Sequence, residues 1–118
     1  MISRSLALAL PFLGKTVAVT MDRPMGSKHP SGKFEFEVNY GYVAGAKAQD
    51  GDELDAYFLG IAVPVLAAAG RCIAVVHRID DDDDQLVVVP EGVQLTNSEI
   101  MDAIHFQEQY FNSTIVRG

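Results

Sequence analysis

Hydrophobic and polar positions change period several times along the chain, and each change predicts a new element. Segment 16–21 alternates Val17 and Val19 with small or polar neighbours, and segment 34–38 alternates Phe34, Phe36 and Val38 with Glu35 and Glu37. A period of two places each set on one face of a strand. Segment 54–59 predicts a further strand, with Leu54, Ala56 and Phe58 on one face and Asp55, Tyr57 and Leu59 on the other. Ile73 to Val76 and Leu86 to Val89 are apolar, β-branched-rich runs flanking five aspartates, Asp80 to Asp84. That pattern predicts a hairpin with an acidic tip. Between the first two strands, Pro24, Gly26, Pro30 and Gly32 mark a long, exposed loop.

After Thr96 the period becomes helical. Ile100, Ala103, Ile104 and Phe111 form an inward stripe, which Phe106 and Tyr110 extend on one side. Thr96 followed three residues later by Glu99 is the pattern of a capping box. Five short strands and one terminal helix predict a mainly β fold with α, a small closed five-stranded OB-like β-barrel with a C-terminal helix. Closure removes the exposed edges that so small a sheet would otherwise carry.

Composition narrows the function classes. At 118 residues and 48% hydrophobic content, the chain supports one core, hence a single domain over 1–118. Sixteen acidic against nine basic residues give a net charge of -7, which repels a nucleic-acid backbone. A phosphate-bearing small molecule remains possible, provided that metal ions supply the positive charge. Cys72 is the only cysteine, so no internal disulfide forms, and a reducing, cytoplasmic setting is expected. Arg4 followed by an apolar run from Leu6 imitates a signal peptide, but no small-residue cleavage site follows, so a packed N-terminal segment is expected. The apolar run 61–69 is interrupted by Pro64 and is too short for a bilayer span. No membrane partner is expected; the run packs internally or supplies an oligomer interface.

The sharpest chemical signal is Asp50-Gly51-Asp52-Glu53-Leu54-Asp55, a set of hard oxygen ligands at the entry to a strand. An EF-hand loop fails on spacing, because Asp55 and Ile61 occupy its glycine and terminal glutamate positions. A solvated turn opened by Asp50 and Gly51 is the plainer alternative. The run Asp80 to Asp84 likewise reads either as a soluble surface turn or as a second acidic cluster facing the first across a cleft.

Asn39-Tyr40-Gly41-Tyr42, then Asp50-Gly51-Asp52 and Asp55, resembles the signature region of the soluble inorganic pyrophosphatase family. The likeness continues through Leu86-Val87-Val88-Val89-Pro90 and through His105-Phe106-Gln107-Glu108-Gln109-Tyr110, so the chain resembles a shortened member. The resemblance implies magnesium-dependent hydrolysis of inorganic pyrophosphate, with manganese as a possible substitute, and a homo-oligomer. It implies Asp50, Asp55, Asp80 and Asp83 as metal ligands, with Asp82 or Asp84 as substitutes in the second cluster. Asp52 resembles the carboxylate that takes the attacking water's proton, and Tyr40 and Tyr110 resemble hydroxyl donors to the phosphates. Gln85 and Phe111 stand where the family carries basic residues, and Phe36 where it carries a tyrosine. Lys28 and Arg78 are the candidate replacements for phosphate contacts, with Lys33, Arg23 and His29 behind them. Two other functions fit the same residues: hydrolysis of a different phosphoanhydride such as a nucleoside polyphosphate, or a catalytically weak metal-binding or regulatory domain.

Overall fold

The computed structural model describes residues 3–47, 53–80 and 83–118, the side chain of Lys47 apart. Asp50 and Asp52, and Asp82 among the alternatives, lie outside the described residues. A short helix α1 (Arg4–Ala9) and a single tight turn (Leu10–Phe12) lead into β1 (Thr16–Arg23). There follow β2 (Asn39–Lys47), β3 (Glu53–Phe58), β4 (Ala67–Arg78), β5 (Gln85–Val89), helix α2 (Asn97–Glu108) and β6 (Ser113–Val116). Neighbouring strands run in the order β1-β2-β3-β5-β4-β6, and pairing of β1 with β4 closes the first five into a barrel. All pairings are antiparallel except β3 with β5, so the barrel is mixed. The OB-like five-stranded barrel with its helix is as the sequence predicts, and β6 is one strand more.

The alternation explains the two apolar layers. Val17, Val19, Leu54, Ala56, Phe58, Leu86 and Val88 fill the barrel interior, with Ala9 of α1 packed at its end. Tyr57, Val76, Val87 and Val89 point outward and are covered by Ile100, Ile104 and Phe106 of α2. Every residue of β5 is buried because both of its faces are covered, so this strand reads as a continuous apolar run. Helix α2 starts as predicted: the Thr96 hydroxyl accepts from the Glu99 N–H at 3.1 Å, and the Thr96 N–H donates to the Glu99 carboxylate at 2.9 Å. The N-terminal segment packs as α1, with Ser3 as its cap.

Segment 34–38 differs from expectation. Its alternation is real in burial terms, since Phe36 is buried and Phe34 and Val38 are partly buried in the outer layer. Its backbone, however, bonds back onto the preceding loop: the Phe36 N–H donates to Ser27 O, and the His29 and Gly26 N–H groups donate to Phe34 and Phe36 carbonyls. The segment is thus an irregular flap, and the strand begins only at Asn39. Buried Asn39 fixes that start by accepting from the Met25 and Val65 N–H groups and donating to Val63 O. Two residues on, β1 crosses so closely that a Cβ at Gly41 would collide with the Thr20 carbonyl. Glycine permits the crossing, and Arg23 of β1 comes into register with Tyr40.

Candidate active site

Register places the first group of functional side chains. On antiparallel β2 and β3, Tyr42 pairs with Asp55 and Tyr40 with Tyr57, so these four share the outer face of the barrel. The Tyr40 and Tyr57 rings meet edge to face at 4.8 Å, and the Tyr40 hydroxyl donates to the Asp55 carboxylate. Asp55, Tyr40 and Arg78 line a cleft of about 430 Å³ together with Asp22 and Arg23 of β1. The flap contributes His29, Lys33, Phe34 and Phe36 to it, and the end of α2 contributes Gln107, Tyr110 and Phe111.

Two ionic groups border this cleft, with opposite electrostatics. Arg78 is buried and forks onto Glu108, with Nε to Oε1 at 3.0 Å and Nη2 to Oε2 at 2.7 Å. Glu108 also accepts from the Tyr57 hydroxyl and from Ser113 Oγ, each at 2.6 Å, while Gln107 Nε2 donates to the Tyr57 oxygen at 2.6 Å. The Arg78 guanidinium lies 3.7 Å from the centre of the Phe111 ring. Burial alone pushes Glu108 up, but the hydrogen bonds and charge of Arg78 outweigh it and hold this carboxyl below its ordinary range. At Asp55 the Tyr40 hydrogen bond and the weaker pull of the Arg78 charge do not outweigh burial. Burial first, and the charge of Asp83 second, push its carboxyl up to about 6. Burial and the charge of Asp55 push the Tyr40 hydroxyl well above its ordinary value, so it stays protonated and remains a donor.

Among the described residues, one carboxylate from each acidic segment, Asp55 and Asp83, comes near enough for their charges to interact. Asp83 acts on Asp55 through space, as does Asp22 more weakly, and Asp83 lies 3.5 Å from Arg78 Nη1. Its neighbour Asp84 turns the other way, buried against His77 Nδ1 at 3.0 Å and Ser5 Oγ at 3.1 Å. Asp80 is exposed and accepts from the Asn112 N–H at 3.3 Å; it does not line the cleft. Lys28 is exposed, paired in an isolated bridge with Glu35, and also outside the lining. Tyr110 stands at the cleft mouth, 52% exposed.

The donor chemistry fits a hard divalent cation. Asp55 is a withdrawn carboxylate beside a second carboxylate, Asp83, and the nearby cation, Arg78, is shared between its fork on Glu108 and a 3.5 Å contact with Asp83. Among the described residues, no three His, Cys, Asp or Glu side chains converge on one point. Gln85 Oε1 is the one buried side-chain atom without a hydrogen-bond partner among them. Gln85 stands one residue before the Ala56–Leu86 pair of the parallel strands, as Asp55 does. Sequence reasoning missed Glu108, Tyr57 and Gln107. Glu108 could have been found from its position, because it falls at i+4 and i+8 from Ile104 and Ile100 on the buried stripe, where a charge requires an internal partner.

Barrel, covering helix and cleft define an OB-like barrel protein with a cleft on its outer face lined by tyrosines and carboxylates. A family model described as inorganic pyrophosphatase matches residues 15–115, and the chain belongs to that family of diphosphatase enzymes. Solved structures agree in fold. An inorganic pyrophosphatase from Coxiella burnetii is 21% identical with a TM-score of 0.62, over 85% of this chain and 83% of that one. One from Ehrlichia chaffeensis is 18% identical with a TM-score of 0.65, over 86% and 84%. One from Thermus thermophilus is 18% identical with a TM-score of 0.62, over 86% and 80%. A comparison with curated proteins finds no match.

Proposed function

We propose that the protein hydrolyses inorganic pyrophosphate with the aid of bound magnesium, for which manganese can substitute. The observation that carries this reading is the approach of Asp55 and Asp83, remote in the chain, within a family of diphosphatases. When bound, divalent cations would lower the pKa of water and neutralise charge on the phosphates. Asp55 and Asp83 would hold them, joined by Asp50 and by Asp80, whose exposed turn lies beyond the same end of β4. Asp52 takes the proton of the attacking water. Tyr40, protonated and fixed by β2, donates to a phosphate oxygen once a cation takes over the Asp55 carboxylate to which its single proton is now given, and Tyr110 donates from the cleft mouth. The buried Arg78 guanidinium supplies positive charge at the cleft wall, while Lys28 reaches substrate only if the flap moves. A homo-oligomer is supported by the exposed Val63 and Leu66 of the apolar loop. A cytoplasmic setting agrees with one buried thiol at Cys72, and no helix among the described residues is long and apolar enough to cross a membrane.

The test is phosphate release from pyrophosphate with magnesium, with manganese and with a chelator. Turnover that requires the metal, lost in Asp52→Asn with metal binding retained, and lost in Asp55→Asn together with metal binding, is the expected result. No release by folded, metal-loaded protein would instead mark a catalytically silent metal-binding domain.

A further inference from the structure

The cleft is acidic and hydroxylic at one end and aromatic at the other. His29 lies 4.6 Å from Phe34, and Phe34 stacks on Tyr110 at 5.6 Å with an interplanar angle of 19°. Phe34 meets Phe106 edge-on at 5.7 Å, which ties the stack to α2. The stack is thus backed by Phe106 and ends in Tyr110, which is 52% exposed. Lys33 holds its ammonium 5.7 Å from the centre of that ring, and Arg23 lines the same cleft. Inorganic pyrophosphate has no apolar surface to lay against such a wall. A planar heteroaromatic group does, and an anchored, half-exposed aromatic ring with a flexible lysine beside it offers a base a surface to stack on. The volume of about 430 Å³ lies within the range of roughly 300–1,000 Å³ of pockets that bury ligands of that size.

We infer that the Phe34–Tyr110 stack is a base-stacking subsite, and that the cleft accepts a nucleoside 5′-diphosphate with its phosphoanhydride toward Asp55 and its base on Tyr110. This rests on the phosphoanhydride-hydrolase reading and names a further substrate class for the same site. Water adds to the terminal phosphorus and the bridging P–O bond breaks. The nucleoside monophosphate leaves with the bridging oxygen, and the water's protons pass to the phosphate products and solvent. Lys33 and Arg23 line the same cleft and offset the phosphate charge, and a base stacking on Tyr110 displaces the Lys33 ammonium now held 5.7 Å from the ring centre.

Adenosine 5′-monophosphate and ribose 5-phosphate differ only in the base, so calorimetric titration of each, with magnesium present, isolates the subsite. The monophosphate of adenosine is expected to bind on the order of 10- to 100-fold more tightly. That ratio should collapse in Tyr110→Leu, where the ring is exposed and folding is not at risk, and also in Phe34→Leu, which keeps apolar bulk without a flat face. Equal binding of the two ligands, or a base advantage that survives both substitutions, overturns the inference. Phosphate release from pyrophosphate and from adenosine 5′-diphosphate, measured in parallel, keeps the two readings apart. Pyrophosphate turnover without a base advantage removes the subsite alone, whereas a base advantage abolished by both substitutions, with no turnover of either substrate, sustains the subsite and removes the hydrolase reading.

Discussion

Asp55 and Glu108 are both carboxylates withdrawn from water, each hydrogen-bonded by a tyrosine, and they differ in what balances their charge. Glu108 has a buried arginine forked onto it and two hydroxyl donors, Tyr57 and Ser113. Asp55 has Tyr40, a weaker pull from the Arg78 charge and, facing it, another carboxylate. The first arrangement is complete within the protein and holds β4, β6 and α2 together. In the second, two carboxylates oppose each other in the metal-free protein, a repulsion that a bound cation would relieve. The difference teaches that burial alone does not mark a functional carboxylate; burial without internal compensation does.

Breaking the complete cluster should produce the largest effect. Glu108→Ala removes the fork from the buried Arg78 charge and leaves it the longer 3.5 Å contact with Asp83, and is expected to lower unfolding free energy by about 3–5 kcal/mol. Replacing both partners, as Arg78→Met with Glu108→Leu, should cost much less than either single change, because no orphaned charge remains. Urea unfolding at pH 7 with a chelator present measures both. Equal losses in the single and double variants would show that packing of the side chains, and not their charge, is what matters.

Relieving the incomplete cluster should act in the opposite direction. In metal-free protein, a shift of the Asp55 carboxyl from 3.8 to about 6 corresponds to about 3 kcal/mol at roughly 1.4 kcal/mol per unit. The raised value means that the folded state holds the proton longer than the unfolded state. Stability is therefore lost as pH rises from about 4 to about 6, and is level above that. Asp55→Asn should remove this slope and stabilise the metal-free protein at pH 7 by up to about 3 kcal/mol, with magnesium no longer adding protection. Glu108 supplies the contrast, because its lowered value makes its contribution fully present above about 4.3 and lost only as pH falls through its folded value. A wild-type minus Asp55→Asn difference that stays flat between pH 4 and 6 would sink the account of Asp55.

Particular residues show how far the sequence could be read. The barrel was legible because Val17, Val19, Leu54, Ala56 and Phe58 alternate against a core that only one face can reach. Asp55 was legible from the same alternation, which places it opposite Leu54 and Ala56. Segment 34–38 misled because Phe34 and Phe36 alternate for burial under α2 while the backbone pairs only with the preceding loop, through an isolated bridge, and not with a strand of the barrel. Strand β6 was not legible, since four half-exposed residues carry no period of their own and depend on the second half of β4 for pairing. The Arg78–Glu108 fork lay beyond the sequence for another reason: a charge on the helix stripe announces that a partner exists, but only the closed barrel selects which one.

The smallest expected effect is at the surface, where charge pairing acts without burial. Arg71 and Glu91 approach to 2.6 Å, but their side chains are 46% and 61% exposed. Water already solvates both, so Glu91→Gln should change unfolding free energy by less than about 1 kcal/mol. Arg71 keeps a second bond, from Nη1 to Gly14 O at 2.7 Å, which does not depend on Glu91. Salt separates this pair from the buried one: screening over roughly 3 Å at 1 M should erase the Glu91 effect and leave the Glu108 effect nearly intact. A Glu91 loss as large as that at Glu108, or one insensitive to salt, would mean that ionic contact sets the magnitude and not withdrawal from water.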